Sequence, residues 1–428
     1  MISHINPTTK LWLAVPRRNP MNEIQRRNFV KFLLASPMIG AASSLNAKEP
    51  AESLLEPRAL ISQARDAIDV FDFDAVAASR LSEAHYTYLS MGVQHEVTLR
   101  ANRSAFDGVK IQPRRLVGEV KDTDLSVELF GEKLERPIIL SPVSSQGAFH
   151  PEAELATARA AKNTDSLQIL SGASSTPLAE VADARGAPIW SQMYSTNIWM
   201  HTSSLIESAV EAGCSTIVLT VDVTATVFNQ NRDRIRRFDR DNNAQCQACH
   251  EVSTGESIVE GVVEFGDAVG LDWSRKFENL MILDWEYVDR IRDATDMNLV
   301  IKGIMSSRDA RLAIEHGADG IIVSNHGGRG IDTGLSTVEV LPSIVDEVKG
   351  EIPVLVDSGF RRGTDIFKAL AIGATAVCVG RPYAWGLASF GQEGVEVALD
   401  ILRSELDVTM RGMGAPNLAS ISRDFLWK

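Results

Sequence analysis

The chain has 428 residues, of which 44% are hydrophobic and only 6% aromatic, with 30 glycines and a net charge of −13. This length and hydrophobic content suit a large α/β domain, and the few aromatic residues argue against a β-sandwich. An acidic surface binds nucleic acids and anionic membranes poorly, and the sequence has no nucleic-acid motif and no solenoid repeat, so we exclude these classes of function.

The first 47 residues differ from the rest, because they contain six Lys/Arg and a single Glu. Within QRRNFVKFLLASPMIGAASSLNAK, Arg26-Arg27 precedes a short apolar run and then small residues. That order is typical of a twin-arginine export signal, and the run is too short for a membrane anchor. The alternative is a cytosolic amphipathic helix with two solvated arginines. The signal predicts a periplasmic protein, soluble or peripheral.

Residues 1–20 fit no part of such a signal, so Met21 is a candidate start. Residues 48–65 are polar and contain Glu and Pro, which is typical of a linker. The folded domain is therefore expected to begin near residue 66.

From residue 137 onward, apolar segments alternate with Ala-rich helical stretches. The eight segments are PIILSPV (137–143), LQILSG (167–172), PIWSQMY (188–194), TIVLTVD (216–222), LVIKG (299–303), GIIVSN (320–325), PVLVDSG (353–359) and AVCVG (376–380). Three of the intervening helices are predicted at Ala153–Ala161, Arg308–His316 and Thr364–Ile372. Continuous apolar strands alternating with helices indicate a parallel sheet covered on both faces, and eight of them predict an α/β fold of the (β/α)8 TIM-barrel type with an N-terminal helical extension.

Each segment ends in polar or small residues, which a barrel gathers at its C-terminal mouth. They are Ser141, Ser171, Gln192, Tyr194, Thr220, Asp222, Lys302, His326, Asp357, Gly380 and Arg381. One such residue alone is usually a structural hydrogen bonder. A ring that contains Lys, His, Asp and Arg predicts an active site.

These residues occur in longer motifs: LVIKG, SNHGGR, DSGFRRGTDIFKALAIGATAVCVGRP, TARAA, LTVD and ELDVTMRGMG. With them the chain resembles the FMN-dependent 2-hydroxy-acid oxidases and dehydrogenases, a family that includes glycolate oxidase, lactate oxidase and flavocytochrome lactate dehydrogenase. The resemblance covers about residues 66–425. It implies one FMN-binding domain over 66–428, with a lid-like insertion at about 230–280, and by analogy a homo-oligomer.

The resemblance implies an FMN site at the barrel mouth. Lys302 is expected beside the flavin edge that becomes negative on reduction, and Gly359, Arg361, Gly380 and Arg381 are expected to hold the phosphate. The residues expected to contact the flavin are Ser144, Ser171, Gln192, Thr220, Ser324 and Asp357.

The resemblance also implies the substrate chemistry. His326 is expected to be the base that takes the substrate proton, with Asp222 orienting it and stabilising its charged form. Arg329 is expected to bind the substrate carboxylate, and Tyr88 and Tyr194 to hydrogen-bond the substrate. A base and a cation three residues apart match a 2-hydroxy acid, which presents an acidic proton beside a carboxylate.

The sequence departs from the family pattern around the substrate. The family's second carboxylate-binding arginine falls on Asn229 or Gln230, and Arg232 reaches that position only with a shifted gap. Losing such a charge-assisted pair weakens binding by about 2–3 kcal/mol if nothing replaces it. Ala173 replaces a tryptophan, which predicts a roomier pocket. The substrate is therefore expected to be a larger acid, an ester or an amide.

Two further departures lie in the loops of the site. The family's Asp-Gly-Gly is Asp-Ser-Gly at 357–359, and its Gln-Leu-Asp is Gly-Ile-Asp at 330–332. The change at 357–359 is mild.

The four cysteines form two groups. Cys214 and Cys378 lie among apolar residues of predicted strands and are expected to be core thiols. Cys246, Cys249 and His250 form CQACH, the pattern for covalent haem c attachment. A disulfide in an oxidising compartment, or a metal site lacking two ligands, are the alternatives.

We therefore predict an exported FMN-dependent enzyme that oxidises a 2-hydroxy acid, or a related compound, to the 2-oxo product. The electrons would pass to a periplasmic cytochrome, a quinone-type acceptor or O2. One alternative is an electron-transfer protein that carries flavin or haem and has a degenerate substrate site, which the missing arginine favours. The other is an FMN-barrel isomerase, which the base-and-arginine loop of SNHGGR opposes.

Overall fold

The structure is a computed structural model that describes residues 60–195, 198–223 and 284–427. The chain divides into two compact units, Met1–Arg58 and Ala59–Lys428, and the described residues all belong to the second. The predicted export signal, the lid-like insertion and the CQACH cluster lie outside the described residues.

The second unit begins with helices, as predicted. A short 3-10 turn at Ala64–Asp66 precedes α1 (Val70–Arg80), α2 (Glu83–Ser90) and α3 (Val97–Gly108). Asp69 begins α1 because its side chain accepts the N–H of Phe71, which satisfies a donor that has no partner within the helix.

A two-stranded antiparallel hairpin follows, which was not predicted from the sequence. Its strands are β1 (Val127–Leu129) and β2 (Glu132–Leu134). Phe130 at its turn packs on Trp190, the first residue of a barrel strand, with ring centroids 5.5 Å apart. The hairpin therefore closes the end of the barrel opposite the mouth.

Eight parallel strands form the barrel, and all eight were predicted. They are β3 (Ile138–Leu140), β4 (Ile169–Leu170), β5 (Trp190–Tyr194), β6 (Thr216–Thr220), β7 (Asn298–Ile304), β8 (Gly320–Val323), β9 (Val354–Val356) and β10 (Ala376–Val379). The strand order is β3-β10-β9-β8-β7-β6-β5-β4, and a bridge between Leu140 and Gln168 closes the ring. Most strands end before the predicted bounds, because their polar last residues turn away into the loops of the mouth.

Helices alternate with these strands. They are α4 (Ala153–Asn163), α5 (Leu178–Arg185), α6 (Trp199–Glu211), α7 (Trp285–Ala294), α8 (Ser307–Glu315), α9 (Thr337–Val348), α10 (Gly363–Ile372) and α11 (Arg381–Met413). The last helix is broken at Phe390 and Gly391, whose backbone is not helical. In the part of the chain that the structure describes, no helix is long and apolar enough to cross a membrane.

Two apolar cores hold these layers together. One fills the barrel interior and includes Trp190, Ile322 and Cys378. The other lies between the strands and the helices and includes Cys214. Both thiols are buried and unpaired, as predicted, and burial raises the pKa of Cys214 to about 12.

Candidate active site

The mouth of the barrel is centred on a buried lysine. Lys302 extends from β7, and its Nζ lies 3.5 Å from Asp357 Oδ2 and 3.8 Å from Asp222 Oδ2. It also donates to Ser324 Oγ at 3.0 Å. Burial alone would lower the pKa of Lys302, but the two carboxylates raise it above its ordinary value. Lys302 therefore stays protonated in the mouth, beside two carboxylates.

The predicted base and its predicted partner meet beside this lysine. His326 Nδ1 lies 2.7 Å from Asp222 Oδ1, with the histidine side chain 23% exposed and the carboxylate 10% exposed. Burial would raise the pKa of Asp222, but Lys302 and His326 together hold it below its ordinary value. An ionised Asp222 fixes one imidazole nitrogen and leaves Nε2 to act as the base.

The loop after β8 turns sharply to present this histidine. His326 has a φ of +58°, a left-handed conformation that a residue with a Cβ rarely adopts. Its N–H donates to Ser324 Oγ at 3.0 Å, which holds the turn. Gly328 follows at a φ of +78°, where a Cβ would lie 2.8 Å from the Leu99 backbone of α3. The double glycine of the motif is thus required by close packing.

Arg329 and Tyr88 lie together on the same side of the mouth. The Arg329 guanidinium stacks over the Tyr88 ring at 4.6 Å and donates to the Tyr88 carbonyl. The Tyr88 hydroxyl hydrogen-bonds Ser144 Oγ. Burial raises the pKa of Tyr194, and the charges of Lys302, Asp222 and Arg329 also act on it. The structure therefore brings the predicted substrate residues and the base to one place.

Three strand ends carry polar atoms that are buried without a hydrogen-bond partner. They are Ser141 Oγ, Gln192 Nε2 and Thr220 Oγ1. Buried polar atoms nearly always have a hydrogen-bond partner. Three unpaired ones at a barrel mouth therefore indicate that a polar ligand supplies the missing hydrogen bonds. Gln192 Oε1 accepts the Gly172 N–H at 3.1 Å, which directs the free amide nitrogen elsewhere. Ser171 Oγ, by contrast, has a partner within the protein, because it accepts the Ala173 N–H at 3.2 Å.

Two arginines, the buried Arg361 and the partly buried Arg381, mark the other end of the site. Arg361 lies over the Trp385 ring at 4.6 Å and donates to the Phe360 carbonyl at 2.8 Å. Burial, and then the proximity of Arg381 and Arg103, lower its pKa well below the ordinary value. Among the described residues, neither Arg361 nor Arg381 forms an ion pair with a carboxylate. Two guanidinium groups held close together without a carboxylate in contact favour the binding of an anion.

Part of the hydrogen-bonding capacity of Arg381 is used within the protein, which the sequence did not reveal. Its guanidinium donates to the carbonyls of Leu89 at 3.0 Å, Met91 at 2.9 Å and Gly327 at 3.0 Å. Burial, and then Arg329, lower its pKa to about 9. A guanidinium has five N–H groups, so two remain for a ligand. Gly380 precedes Arg381 and is the N-cap residue of α11.

Comparison with known proteins agrees with this arrangement. The model of the FMN-dependent dehydrogenase family matches residues 77–428. The chain belongs to this family. It is 37% identical to an L-lactate oxidase of Nostoc over 364 residues, which cover 84% of this chain and 98% of that protein. It is 36% identical to a peroxisomal (S)-2-hydroxyacid oxidase of Arabidopsis thaliana over 358 residues, which cover 83% of this chain and 95% of that protein.

The fold agrees as well. The solved structure of an active mutant of (S)-mandelate dehydrogenase matches with a TM-score of 0.74 at 33% identity, covering 84% of this chain and 99% of that one. The protein is therefore an FMN-dependent oxidoreductase of the 2-hydroxy-acid oxidase and dehydrogenase type, which confirms the predicted family, fold and cofactor.

The residues present fit FMN. One end of the mouth has buried polar atoms without hydrogen-bond partners, and the other end has guanidinium groups that no described carboxylate contacts. Gly359 has a φ of +92°, and a Cβ there would lie 2.1 Å from the Asn102 carbonyl. The comparisons support FMN and do not support haem. The possible clamp residues Asn229, Gln230 and Arg232, and the possible haem or disulfide residues Cys246, Cys249 and His250, lie outside the described residues, so these predictions stay open.

A pair of asparagines supports the loop of the base, and the sequence motifs did not reveal it. Asn102 of α3 and Asn325 exchange two amide hydrogen bonds of 2.9 and 2.7 Å, and both are buried. The signal was present, because Thr98, Asn102 and Phe106 follow one another at helical spacing on one buried face of α3. A polar residue within such a stripe indicates a buried hydrogen-bonding partner.

Proposed function

We propose that this protein oxidises a 2-hydroxy acid to the 2-oxo acid, with His326 as the base. The observation that carries the proposal is the 2.7 Å contact between His326 and Asp222 beside the buried Lys302. When bound, FMN supplies the two-electron acceptor. The substrate loses two electrons and two protons in all; one proton goes to His326, and the other proton goes with the electrons.

The chain's own residues have distinct tasks in this proposal. Arg329 binds the carboxylate of the acid, and Tyr88 and Tyr194 hydrogen-bond the oxygens around the reacting carbon. Asp222 stabilises the imidazolium that forms when His326 takes its proton. Lys302 stabilises negative charge that accumulates on the cofactor side of the site.

We infer further that the preferred acid has a bulky side chain. Ala173, in the loop after β4, stands where the family pattern has tryptophan, which leaves more room at the mouth. One of the similar solved structures is an (S)-mandelate dehydrogenase, whose name gives an aromatic substrate.

We also propose that the protein is exported and passes its electrons to a cytochrome, a quinone-type acceptor or O2. The order of charge, apolar run and small residues after Arg26-Arg27 supports export.

The test is anaerobic addition of glycolate, (S)-lactate, (S)-mandelate and mandelamide to the purified flavoprotein. We expect the flavin absorbance to bleach, fastest with (S)-mandelate, and the matching 2-oxo product to form. His326→Gln should retain FMN but reduce the rate of bleaching by about 10²–10⁴-fold, because the base is lost. Normal bleaching in that variant would remove His326 from the reaction. Ala173→Trp should lower kcat/KM for mandelate more than for glycolate.

A further inference from the structure

Ser358 adopts a backbone conformation that does not suit a serine. It lies in the loop after β9, between Asp357 and Gly359, with a φ of +75°. Residues with a Cβ are strained there, and glycine is the residue that adopts such angles freely. The family pattern has a glycine at this position, whereas this chain has a serine that is only 8% exposed. A strained residue persists where its side chain makes compensating contacts.

The hydroxyl of Ser358 makes two such contacts. It accepts the Gly327 N–H at 3.0 Å, and it donates to Asp357 Oδ1 at 2.7 Å. Gly327 directly follows the base His326. The other oxygen of the same carboxylate, Oδ2, lies 3.5 Å from Lys302 Nζ. One hydroxyl therefore joins the loop of the base to the counter-ion of the buried lysine.

We propose that Ser358 is a positioning residue that holds the His326 loop in place and sets how strongly Asp357 neutralises Lys302. This inference rests on the proposed function, because it assigns Ser358 a role toward bound FMN and the base. A hydrogen bond donated to Asp357 draws negative charge away from the oxygen that faces Lys302. Lys302 then presents more of its positive charge to the cofactor, which favours the reduced, more negative flavin.

Removing the hydroxyl should reverse both effects. Asp357 would neutralise Lys302 more fully, so the midpoint potential of bound FMN should fall. The Gly327 N–H would lose its acceptor, so the neighbouring His326 would be held less firmly and substrate oxidation should slow. A serine that is merely tolerated in a rigid loop would produce neither change.

The experiment compares Ser358→Gly, Ser358→Ala and a control, Ser343→Ala. Ser343 is an exposed serine of α9 whose hydroxyl donates to the Val340 carbonyl. The glycine variant removes the hydroxyl and the backbone strain together, whereas the alanine variant removes only the hydroxyl. The three measurements are the midpoint potential of bound FMN in an anaerobic titration against a redox dye, the rate of flavin reduction by a 2-hydroxy acid, and the thermal unfolding temperature.

We expect both Ser358 variants to have a lower potential, by up to about 30 mV, which is a tenfold change in a two-electron equilibrium constant. Flavin reduction should slow several-fold in both. The unfolding temperature should be higher for glycine than for alanine, because only glycine relieves the strain. The Ser343→Ala control should match the wild type throughout.

Equal potentials and equal rates in the wild type and in Ser358→Gly would overturn the inference, whatever the unfolding temperatures. The outcome is separable from that of the proposed function. If FMN binds but no 2-hydroxy acid reduces it, the proposed function fails, while the dye titration still tests Ser358. If the wild type does not bind added FMN, both fail.

Discussion

Replacing Asp222 by asparagine would test the central pair of the site. The substitution keeps the size and a hydrogen-bond acceptor, but it removes the charge that faces the imidazolium. His326 Nδ1 and Asp222 Oδ1 are 2.7 Å apart, and the carboxylate is 10% exposed. Two unit charges whose centres lie about 4 Å apart interact by roughly 4 kcal/mol at an effective dielectric constant of about 20.

The rate should therefore fall by about 10²–10³-fold, since each 1.36 kcal/mol of barrier is about tenfold in rate. Lys302 remains charged beside the pair, which adds to the loss. The assay is stopped-flow bleaching of the flavin by a 2-hydroxy acid without oxygen. FMN content should be unchanged, because the substitution leaves the expected phosphate residues Arg361 and Arg381 intact. Asp346→Asn, on an exposed carboxylate that pairs with Arg423, is the matched control.

A wild-type rate in Asp222→Asn would refute the assignment of Asp222 as the partner of the base. The pH dependence supplies a second check. The pKa of Asp222 is lowered in the folded protein, so its contribution to stability is complete above the ordinary value of 3.8 and is lost as the pH falls through the lower folded pKa. Any stability difference between wild type and variant that comes from this ionisation should stay constant from about pH 5 to pH 8.

Three further predictions concern the cofactor, the cysteines and export. Arg361→Ala should lower the FMN content of the purified protein far more than it changes the rate per bound flavin; full loading would place the phosphate elsewhere. If haem is attached, the intact mass should exceed the mass of the chain by one haem, and the protein should stain for haem peroxidase. Both signals should disappear in Cys246→Ala/Cys249→Ala. A mass two hydrogens below that of the reduced chain, without staining, indicates a disulfide instead. Arg26→Lys with Arg27→Lys should leave the protein in the cytoplasm, as cell fractionation would show, and normal periplasmic recovery would exclude the twin-arginine interpretation.

The barrel could be predicted from sequence because its signal is local. Each strand is a continuous apolar run such as GIIV at 320–323, and its polar end marks the mouth without knowledge of distant residues. The hairpin that closes the barrel could not be found this way. Its strands have three residues each, and Glu132 and Lys133 give them no apolar pattern.

The clustering of the site's side chains at the mouth could be predicted, but the hydrogen bonds between them could not. The grouping of His326, Asp222 and Lys302 follows from their places at neighbouring strand ends. The bonds of Arg381 to Leu89, Met91 and Gly327 span as many as 292 residues of sequence, so no local pattern reveals them. The Asp-Ser-Gly departure was visible at Ser358, but its meaning depends on a φ of +75° and on an N–H from another loop.

The barrel strands pair over unequal lengths, and this affects where the sequence can change in evolution. Strands β6 and β7 pair over five residues, whereas β3 and β4 meet through the bridge of Leu140 and Gln168. Just above that bridge, Ser145 donates to the Ala173 carbonyl at 3.0 Å. The loops on this side are therefore tied to each other rather than to an extended ladder. Ala173 is held there through its backbone carbonyl, so a different side chain at this position can change the width of the pocket without removing that hydrogen bond.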